Sequence, residues 1–132
     1  MAILNSIESV FWFVTYLGFS LAMLGAFVML YFQVTPHDDM KLIHSGNISA
    51  AIALGGAMLG FTFPLLMASY LQATFFGFVV WGAIACLVQL AVFWALYWFM
   101  PRTIELNNVA GATVFAIVAV CAGLMNAASF IP

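Results

Sequence analysis

The sequence predicts an all-α integral membrane protein with four transmembrane helices. We expect two parallel two-helix repeats, with a short interfacial helix in the first polar loop. Of the 132 residues, 67% are hydrophobic and only 5% are charged, whereas about a quarter of the residues in soluble domains are charged. The charges cluster in short stretches, and the uncharged runs between them are long enough for spans of roughly 20 residues. The second half of the chain also repeats the pattern of the first half.

The long apolar runs predict where the four spans lie. The first and third runs are rich in aromatic residues, as in the belts that form at membrane interfaces. Pro64, inside the second run, is expected to kink or end the regular helix there. Residues 1–9 are expected to form a lead segment, and residues 70–76 a short turn. The predicted spans are about 10–33, 47–69, 77–100 and 108–130.

Small residues recur at helical spacing in the second and fourth spans. In a bilayer such residues allow two helix backbones to approach closely. We therefore predict that the second and fourth spans pack centrally, while the first and third spans face lipid. The predicted packing residues are Ala53, Gly56, Ala57 and Gly60 in the second span, and Ala119, Gly123 and Ala127 in the fourth.

Each half of the chain contains an aromatic-rich helix, a proline-containing polar loop, an asparagine and a small-residue helix. The segment 36–47 matches the segment 101–108, although the second loop is four residues shorter. A two-helix unit returns the chain to its starting side of the membrane. The two halves, residues 1–70 and 71–132, are therefore expected to be parallel copies related by a pseudo-two-fold axis along the membrane normal.

The first polar loop contains a pattern typical of a short helix. Thr35 is expected to cap this helix, with Pro36 at its first position. Asp38 and Asp39 would then lie in the first turn, where the helix dipole favours negative charge. Gly46 would end the segment. A helix lying at the membrane surface is the simplest interpretation.

The positions of the cationic residues predict the orientation in the membrane. Lys41 and Arg102 lie in polar loops on the same side of the predicted bundle. The positive-inside rule then places both polar loops in the cytoplasm and both termini outside. No Lys or Arg precedes the first apolar run, so the first span is expected to be retained rather than cleaved as a signal peptide.

A few polar residues are candidates for a pore lining or for a polar interface between helices. Asn47 and Asn108 begin the two inner helices, where they would cap the helix or form a polar ring at a pore mouth. Gln89 and Asn126 lie at membrane depth, where they would form an interhelical hydrogen bond or part of a substrate or ion pathway. The full set is Asn47, Ser49, Gln89, Asn108, Thr113 and Asn126.

Several classes of function have no support in the sequence. Two cationic residues cannot form a nucleic-acid surface. No catalytic spacing is present, so we expect no enzymatic activity. His37 and His44 would lie about 10 Å apart along a helix, which is too far for one metal ion without other ligands. With Asp38 they could form at most a weak metal or proton site, and ordinary interfacial polar residues are the preferred interpretation. We therefore predict no metal and no cofactor, and interpret Cys86 and Cys121 as small hydrophobic residues within spans.

Residues along nearly the whole chain resemble one family. In the first half these are Thr35-Pro36-His37, Leu42-Ile43, Asn47, Ala50-Ala51, Leu59-Gly60-Phe61 and Pro64-Leu65. In the second half they are Gln89-Leu90, Met100-Pro101, Asn108, Ala110-Gly111 and Asn126-Ala127-Ala128. Together they resemble the YjfL-like bacterial inner-membrane proteins, a domain of unknown function with one or two copies of a two-helix unit. The resemblance implies the inner membrane and carries over no catalytic residue.

Two functional hypotheses remain open. In the first, a small non-enzymatic membrane protein oligomerises with itself in the bilayer and forms a pore or channel. In the second, it is a membrane anchor or scaffold that recruits a cytoplasmic partner through its polar loops. The resemblance implies a membrane-coat or envelope-stress partner, because some similar proteins are encoded near phage-shock-like coat proteins. The candidate partner loop consists of His37, Asp38, Asp39, Lys41, His44, Arg102 and Glu105.

Overall fold

The computed structural model of the chain describes residues 2–71 and 74–130, and these residues form helices and turns without any strand. Four of the helices are long and apolar enough to cross a membrane. The prediction of an all-helical protein with four membrane-spanning helices is therefore confirmed. The helices are α1 (Ala2–Val34), α2 (Asp39–His44), α3 (Ile48–Leu71), α4 (Phe75–Phe99) and α5 (Val109–Ala128).

Helix α1 begins much earlier than its predicted span. The expected lead segment is helical from Ala2 onward, whereas Met1 lies outside the described residues. The polar residues Ser6 and Ser9 do not interrupt the helix, because their hydroxyls donate to backbone carbonyls one turn earlier. With 33 residues, α1 is about 50 Å long. It therefore exceeds the roughly 30 Å hydrocarbon core of a bilayer.

Helix α3 continues through Pro64, so of the two predicted outcomes, a kink or an end of the regular helix, the end is wrong. Proline has no backbone N–H, which leaves the carbonyl of Gly60 without its usual partner in the helix. That oxygen faces Gly123 of α5, only 2.0 Å from where a Cβ atom of Gly123 would lie. The neighbouring backbone thus lies against the freed carbonyl, which is how membrane helices commonly tolerate proline.

The turn between α3 and α4 is shorter than the predicted 70–76 segment. Helix α3 extends to Leu71 and α4 begins at Phe75. Thr74 caps α4 by accepting a hydrogen bond from the backbone N–H of Gly77. Residues 72 and 73 of the predicted turn lie outside the described residues.

Helices α3 and α5 form the closest helix pair in the molecule. Their contacts advance in the same direction along both helices, from Gly56 against Ala116 to Gly60 against Ala119 and Gly123. The two helices therefore run parallel. A Cβ atom added to Gly60 would lie 2.3 Å from the carbonyl oxygen of Ala119. Glycine at this position is what allows the backbones to approach so closely.

An aromatic layer joins the four long helices near the polar loops. Phe27 of α1 stacks on Phe61 of α3 with ring centroids 4.7 Å apart. Tyr31 of α1 meets the ring of Phe93 edge-on at 5.2 Å, and Phe93 in turn contacts Phe115 of α5 at 6.0 Å. Phe27 and Tyr31 are the buried residues of α1. Helix α1 is therefore attached mainly through its C-terminal half.

Candidate functional site

Both polar loops lie at the same end of the bundle, and we call residues 35–47 and 100–108 the polar cap. The side chain of Asn47 donates a hydrogen bond of 2.9 Å to the carbonyl of Ile104. The backbone N–H of Ser49 donates to the side-chain oxygen of Asn107 at 3.1 Å. These two bonds hold the start of α3 against the second loop.

The first loop departs from the predicted capping pattern. Helix α2 begins at Asp39, and Asp38 is its N-cap because its carboxylate accepts from the backbone N–H of Lys41. The prediction that Thr35 caps the helix is therefore wrong. The hydroxyl of Thr35 instead donates to the carboxylate of Asp39. An aspartate at position 38 places the stronger acceptor directly before the helix, leaving Pro36 outside it.

The turns before α3 and α5 have the same backbone geometry. In the first, Gly46 has a φ of 91° and its N–H donates to the carbonyl of Ile43, while Asn47 donates to Leu42. This pair of bonds is a Schellman motif that ends α2. In the second turn, Asn107 has a φ of 53° and its N–H donates to the carbonyl of Ile104, while Asn108 donates to Thr103.

Asn47 and Asn108 both cap the helix that follows them. The side-chain oxygen of Asn47 accepts from the N–H of Ala50 at 2.9 Å, and that of Asn108 accepts from Gly111 at 3.1 Å. Their environments differ, since Asn47 is buried and Asn108 is exposed. Asn47 therefore both caps α3 and joins the two loops, whereas Asn108 is bonded within its own helix terminus.

A histidine between two carboxylates forms the centre of the polar cap. Nε2 of His37 lies 2.8 Å from Oδ1 of Asp39, and Nδ1 of the same ring lies 3.6 Å from Oε1 of Glu105. The side chain of His37 is 4% exposed and that of Asp39 is fully buried. The ring also lies against Phe93, with centroids 6.3 Å apart. We call His37, Asp39 and Glu105 the histidine–carboxylate cluster.

Glu105 is the member of this cluster that belongs to the second loop. Its Oε1 accepts a hydrogen bond of 3.3 Å from the hydroxyl of Tyr97 on α4. Its Oε2 lies 3.8 Å from Nε of Arg102, whose side chain is two-thirds exposed. Glu105 therefore contacts the first loop, the second loop and α4 at once.

The predicted partner-loop residues separate into two groups. His37 and Asp39 are buried in the cluster, and Glu105 is partly buried beside them. The remaining residues, Asp38, Lys41, His44 and Arg102, are exposed at the surface of the polar cap. This second group is fully available to contact another protein, whereas Glu105 is only 31% exposed.

The polar candidates at membrane depth do not converge on one passage. Gln89 of α4 is buried, and its amide nitrogen donates to the carbonyl of Ala119 at 3.2 Å. Ser49 is completely buried on α3. Thr113 is exposed, and its hydroxyl donates to the carbonyl of Val109 in its own helix. Asn126 is half-buried near the far end of α5.

Three of these side chains contain buried atoms that lack a hydrogen-bond partner among the described residues. They are the hydroxyl of Ser49, the amide oxygen of Gln89 and the amide nitrogen of Asn126. Each lies in a different part of the bundle. The predicted helix-packing residues, in contrast, are all buried: Ala53, Gly56, Ala57 and Gly60 on α3, and Ala119, Gly123 and Ala127 on α5.

No group of three or more His, Cys, Asp and Glu side chains within residues 2–71 and 74–130 is arranged to hold a metal ion. Cys86 is buried on α4 and Cys121 is exposed on α5, and both are free thiols.

Sequence reasoning missed several residues of the polar cap. Thr35 and Tyr97 donate hydrogen bonds to the two carboxylates of the cluster, and the side chain of Asn107 accepts one from the backbone N–H of Ser49 in α3. For Tyr97 the sequence holds no local signal, because its contact with Glu105 depends on how the second loop folds back on α4. Thr35 lies only four residues before its partner Asp39, but the predicted capping role assigned it a different bond. Asn107 could have been suspected, since asparagine tolerates the positive φ that a helix terminus of this kind requires.

The family profile described as Domain of Unknown Function (DUF350) matches residues 4–130, which is nearly the whole chain. The chain belongs to the DUF350 family. Two relatives, from Escherichia coli strain K12 and Escherichia coli O157:H7, are both named UPF0719 inner membrane protein YjfL. Each is 30% identical over 128 residues, covering 95% of this chain and 97% of the relative. No solved structure matches the chain.

These matches confirm the resemblance to the YjfL-like proteins. Four long apolar helices and inner-membrane relatives of almost equal length support a multi-pass protein of the bacterial inner membrane. The DUF350 family is itself of unknown function. Any statement on activity must therefore come from the geometry of this chain.

Proposed function

We propose that this DUF350 protein is a non-enzymatic membrane scaffold that self-associates in the inner membrane and binds a cytoplasmic partner through its polar cap. One observation carries the proposal: the two polar loops are bonded into a single surface at one end of the bundle. Asn47 and Asn107 bond across the loops, and Glu105 adjoins His37 from the other side. A surface held at several points is suited to recognition, because little conformational freedom is lost on binding.

The distribution of charge supports the same proposal. Of the Asp, Glu, Lys and Arg residues in the chain, Glu8 alone lies outside the polar cap. The exposed charged groups of the cap are Asp38, Lys41 and Arg102, so both signs are present on one face. Complementary charges on a partner would fix its register and increase its association rate.

Packing inside the chain argues against transport through a single protomer. The backbones of α3 and α5 are too close at Gly56 and Gly60 to leave space for a passage. Asn47 and Ser49 are buried between α3 and its neighbours rather than facing an opening. A pore would therefore have to form between protomers.

The proposed orientation and partner follow from two further considerations. Lys41 and Arg102 are on the polar cap, so the positive-inside rule puts the cap in the cytoplasm and the termini outside. Helix α2 would then lie at the membrane interface. The resemblance to YjfL-like proteins suggests a partner of the membrane-coat or envelope-stress class.

We also propose that the two halves of the chain are parallel structural copies. The turns before α3 and α5 share a positive φ residue, two matching backbone bonds and a capping asparagine. The parallel packing of α3 and α5 is the arrangement that a pseudo-two-fold axis along the membrane normal would produce.

The scaffold proposal is tested by exchanging exposed charges on the polar cap. A Lys41→Glu/His44→Glu variant changes two exposed side chains that lie outside the histidine–carboxylate cluster. In cross-linked native membranes, this variant is expected to lose proteins that co-purify with the wild-type chain. A Glu8→Lys variant is the matched control, since Glu8 is exposed near the N-terminus of α1. The scaffold proposal is contradicted if both variants co-purify with the same proteins as the wild-type chain.

A pore between protomers is the second candidate, and one observation favours it. Thr113 is a polar residue on the exposed face of α5, and Asn126 on the same helix has a buried amide nitrogen without a partner in the described chain. Ion flux in proteoliposomes that falls in a Thr113→Val/Asn126→Leu variant would support this function. Absence of flux from wild-type protein, together with partner capture, would leave the scaffold.

A further inference from the structure

The histidine–carboxylate cluster contains an arrangement that the scaffold function does not explain. His37 is the only side chain that lies between carboxylates of both polar loops in the part of the chain that the structure describes. Its Nε2 bonds Asp39 within the first loop, and its Nδ1 faces Glu105 of the second loop. Nδ1 is buried and has no hydrogen-bond partner at the observed distance of 3.6 Å.

The number of protons on the ring decides which of these contacts is a hydrogen bond. An ionised carboxylate only accepts, so the 2.8 Å contact with Asp39 requires a proton on Nε2. A neutral imidazole has no second proton. Its Nδ1 then presents a lone pair to the carboxylate oxygen of Glu105, and the two atoms repel. The imidazolium carries a proton on each nitrogen and can bond both carboxylates.

Burial makes this difference larger than it would be in water. Asp39 is fully buried, and its second oxygen is bonded by the hydroxyl of Thr35. The hydroxyl of Tyr31, in the last turn of α1 and four residues before Thr35, is also buried. On the Asp39 side of the ring, a charge interaction over less than 4 Å is therefore weakly screened. Glu105 is 31% exposed, so solvent screens its interaction with the ring more strongly.

The other charged and titratable groups around the cluster are few. Glu105 is approached by the hydroxyl of Tyr97 from α4 and by the exposed guanidinium of Arg102. Helices α3 and α5, over their described residues, contain no Asp, Glu, Lys, Arg or His. Arg102 remains charged when His37 is neutral, so it can hold Glu105 on the solvent side of the cap.

We propose that His37 is a pH-dependent latch between the two polar loops. Protonated His37 bonds Asp39 and Glu105 together and closes the cap. When the pH rises and the ring loses a proton, the bond to Asp39 remains and the bond to Glu105 is lost. The side chain of Glu105 then turns away from the ring toward Arg102. The bonds from Asn47 to Ile104 and from Ser49 to Asn107 still hold the two loops together.

The test measures the separation of the two loops in nanodiscs by electron–electron double resonance. Spin labels are attached through Met40→Cys and Leu106→Cys, both at exposed positions, in a Cys86→Ala/Cys121→Ser background. When the pH is raised so that histidine loses its charge, we expect the distance distribution to broaden, because the contact between His37 and Glu105 no longer restrains the second loop. The change is expected to be absent in a Glu105→Gln variant, which keeps the shape of the side chain but not its charge.

The matched control is His44→Gln, because His44 lies in the same loop but is exposed. This variant is expected to keep the full response to pH, whereas His37→Gln is expected to lose it. Circular dichroism and size-exclusion profiles identify any variant that fails to fold, and Glu105→Gln then carries the test alone. A wild-type distance distribution that is unchanged when the pH is raised overturns the latch, and so does a response that disappears in His44→Gln.

Discussion

Asn47 shows how one residue can hold two parts of a membrane protein together. Its side-chain oxygen caps α3 through Ala50, and its nitrogen reaches Ile104, 57 residues later in the chain. The capping role could be predicted, because asparagine before an apolar helix is a common N-cap. The contact with Ile104 could not, because nothing in a local pattern specifies which distant carbonyl will lie nearby.

We expect Asn47→Ala to destabilise the protein more than Asn108→Ala. Loss of a cap costs about 1 kcal/mol in either case. Asn47→Ala also removes the hydrogen bond to Ile104, whose carbonyl then keeps only the bond from the backbone N–H of Asn107. Loss of a typical hydrogen bond adds about 1 kcal/mol. Unfolding titrations in mixed detergent micelles measure both variants against wild type. Equal losses would mean that the bond to Ile104 contributes nothing to stability.

Gln89 allows the structural role of a buried polar residue to be separated from a transport role. Its single hydrogen bond goes to the carbonyl of Ala119, and its amide oxygen is unpaired within the described residues. Interhelical hydrogen bonds in membranes contribute only about 0.6 kcal/mol on average. We expect Gln89→Leu to change stability by less than about 1 kcal/mol and to leave partner capture intact. A loss of ion flux in this variant would instead assign Gln89 to a pathway.

At the scale of helices, the sequence was most informative where a pattern extends over many residues. Apolar run length predicted the four long helices, and the ends of α3, α4 and α5 lie within two residues of their predicted spans. The end of a helix depends on single bonds, which is why the start of α1 and the cap of α2 were predicted wrongly. Helix α3 continues past Pro64 because α5 lies against the freed carbonyl, a tertiary effect that a local rule does not contain.

The crossing of α3 and α5 predicts different outcomes for two glycines on the same helix. A Cβ atom at Gly60 would lie 2.3 Å from Ala119 and 2.6 Å from the amide of Gln89. We expect Gly60→Ala to force the helices apart and to lower stability by about 1–3 kcal/mol, as overpacking does elsewhere. Thermal unfolding in detergent, followed by circular dichroism, would measure the loss.

Gly55 is the control for this prediction, because the space where its Cβ would lie is open. Gly55→Ala is expected to be neutral or to stabilise α3 by up to about 1 kcal/mol, since alanine is the better helix former. If Gly60→Ala unfolds at the same temperature as Gly55→Ala, the close approach at Gly60 is not a constraint on the fold.

At the scale of the whole molecule, the sequence predicted which groups share an end of the bundle but not how they meet. It placed His37 and Glu105 in loops on the same side, because each loop follows a span of known direction. It gave no reason for the His37 ring to contact Glu105 rather than solvent. That contact depends on the packing of the ring against Phe93 of α4, and therefore on the assembled bundle.

The proposed self-association concerns the whole molecule, and Cys121 offers a direct probe of it. This thiol is exposed in an open groove between the outer faces of α3 and α5, which is lined by Gly55, Leu59, Ile117 and Val120 among others. Small residues on such a face allow another helix to approach. We expect mild oxidation of native membranes to yield a dimer cross-linked through Cys121, and Gly55→Leu to reduce its amount by filling the groove.

The matched control transfers the thiol to α4. In a Cys121→Ser/Leu87→Cys variant, the new cysteine replaces a side chain that is 66% exposed. Chance collisions in the bilayer should therefore cross-link it as readily as any other exposed thiol. Self-association through the groove therefore predicts a higher dimer yield at position 121 than at position 87, persisting when the membranes are diluted with lipid. Equal yields that fall together on dilution would show random collision, and the scaffold would then act as a single chain.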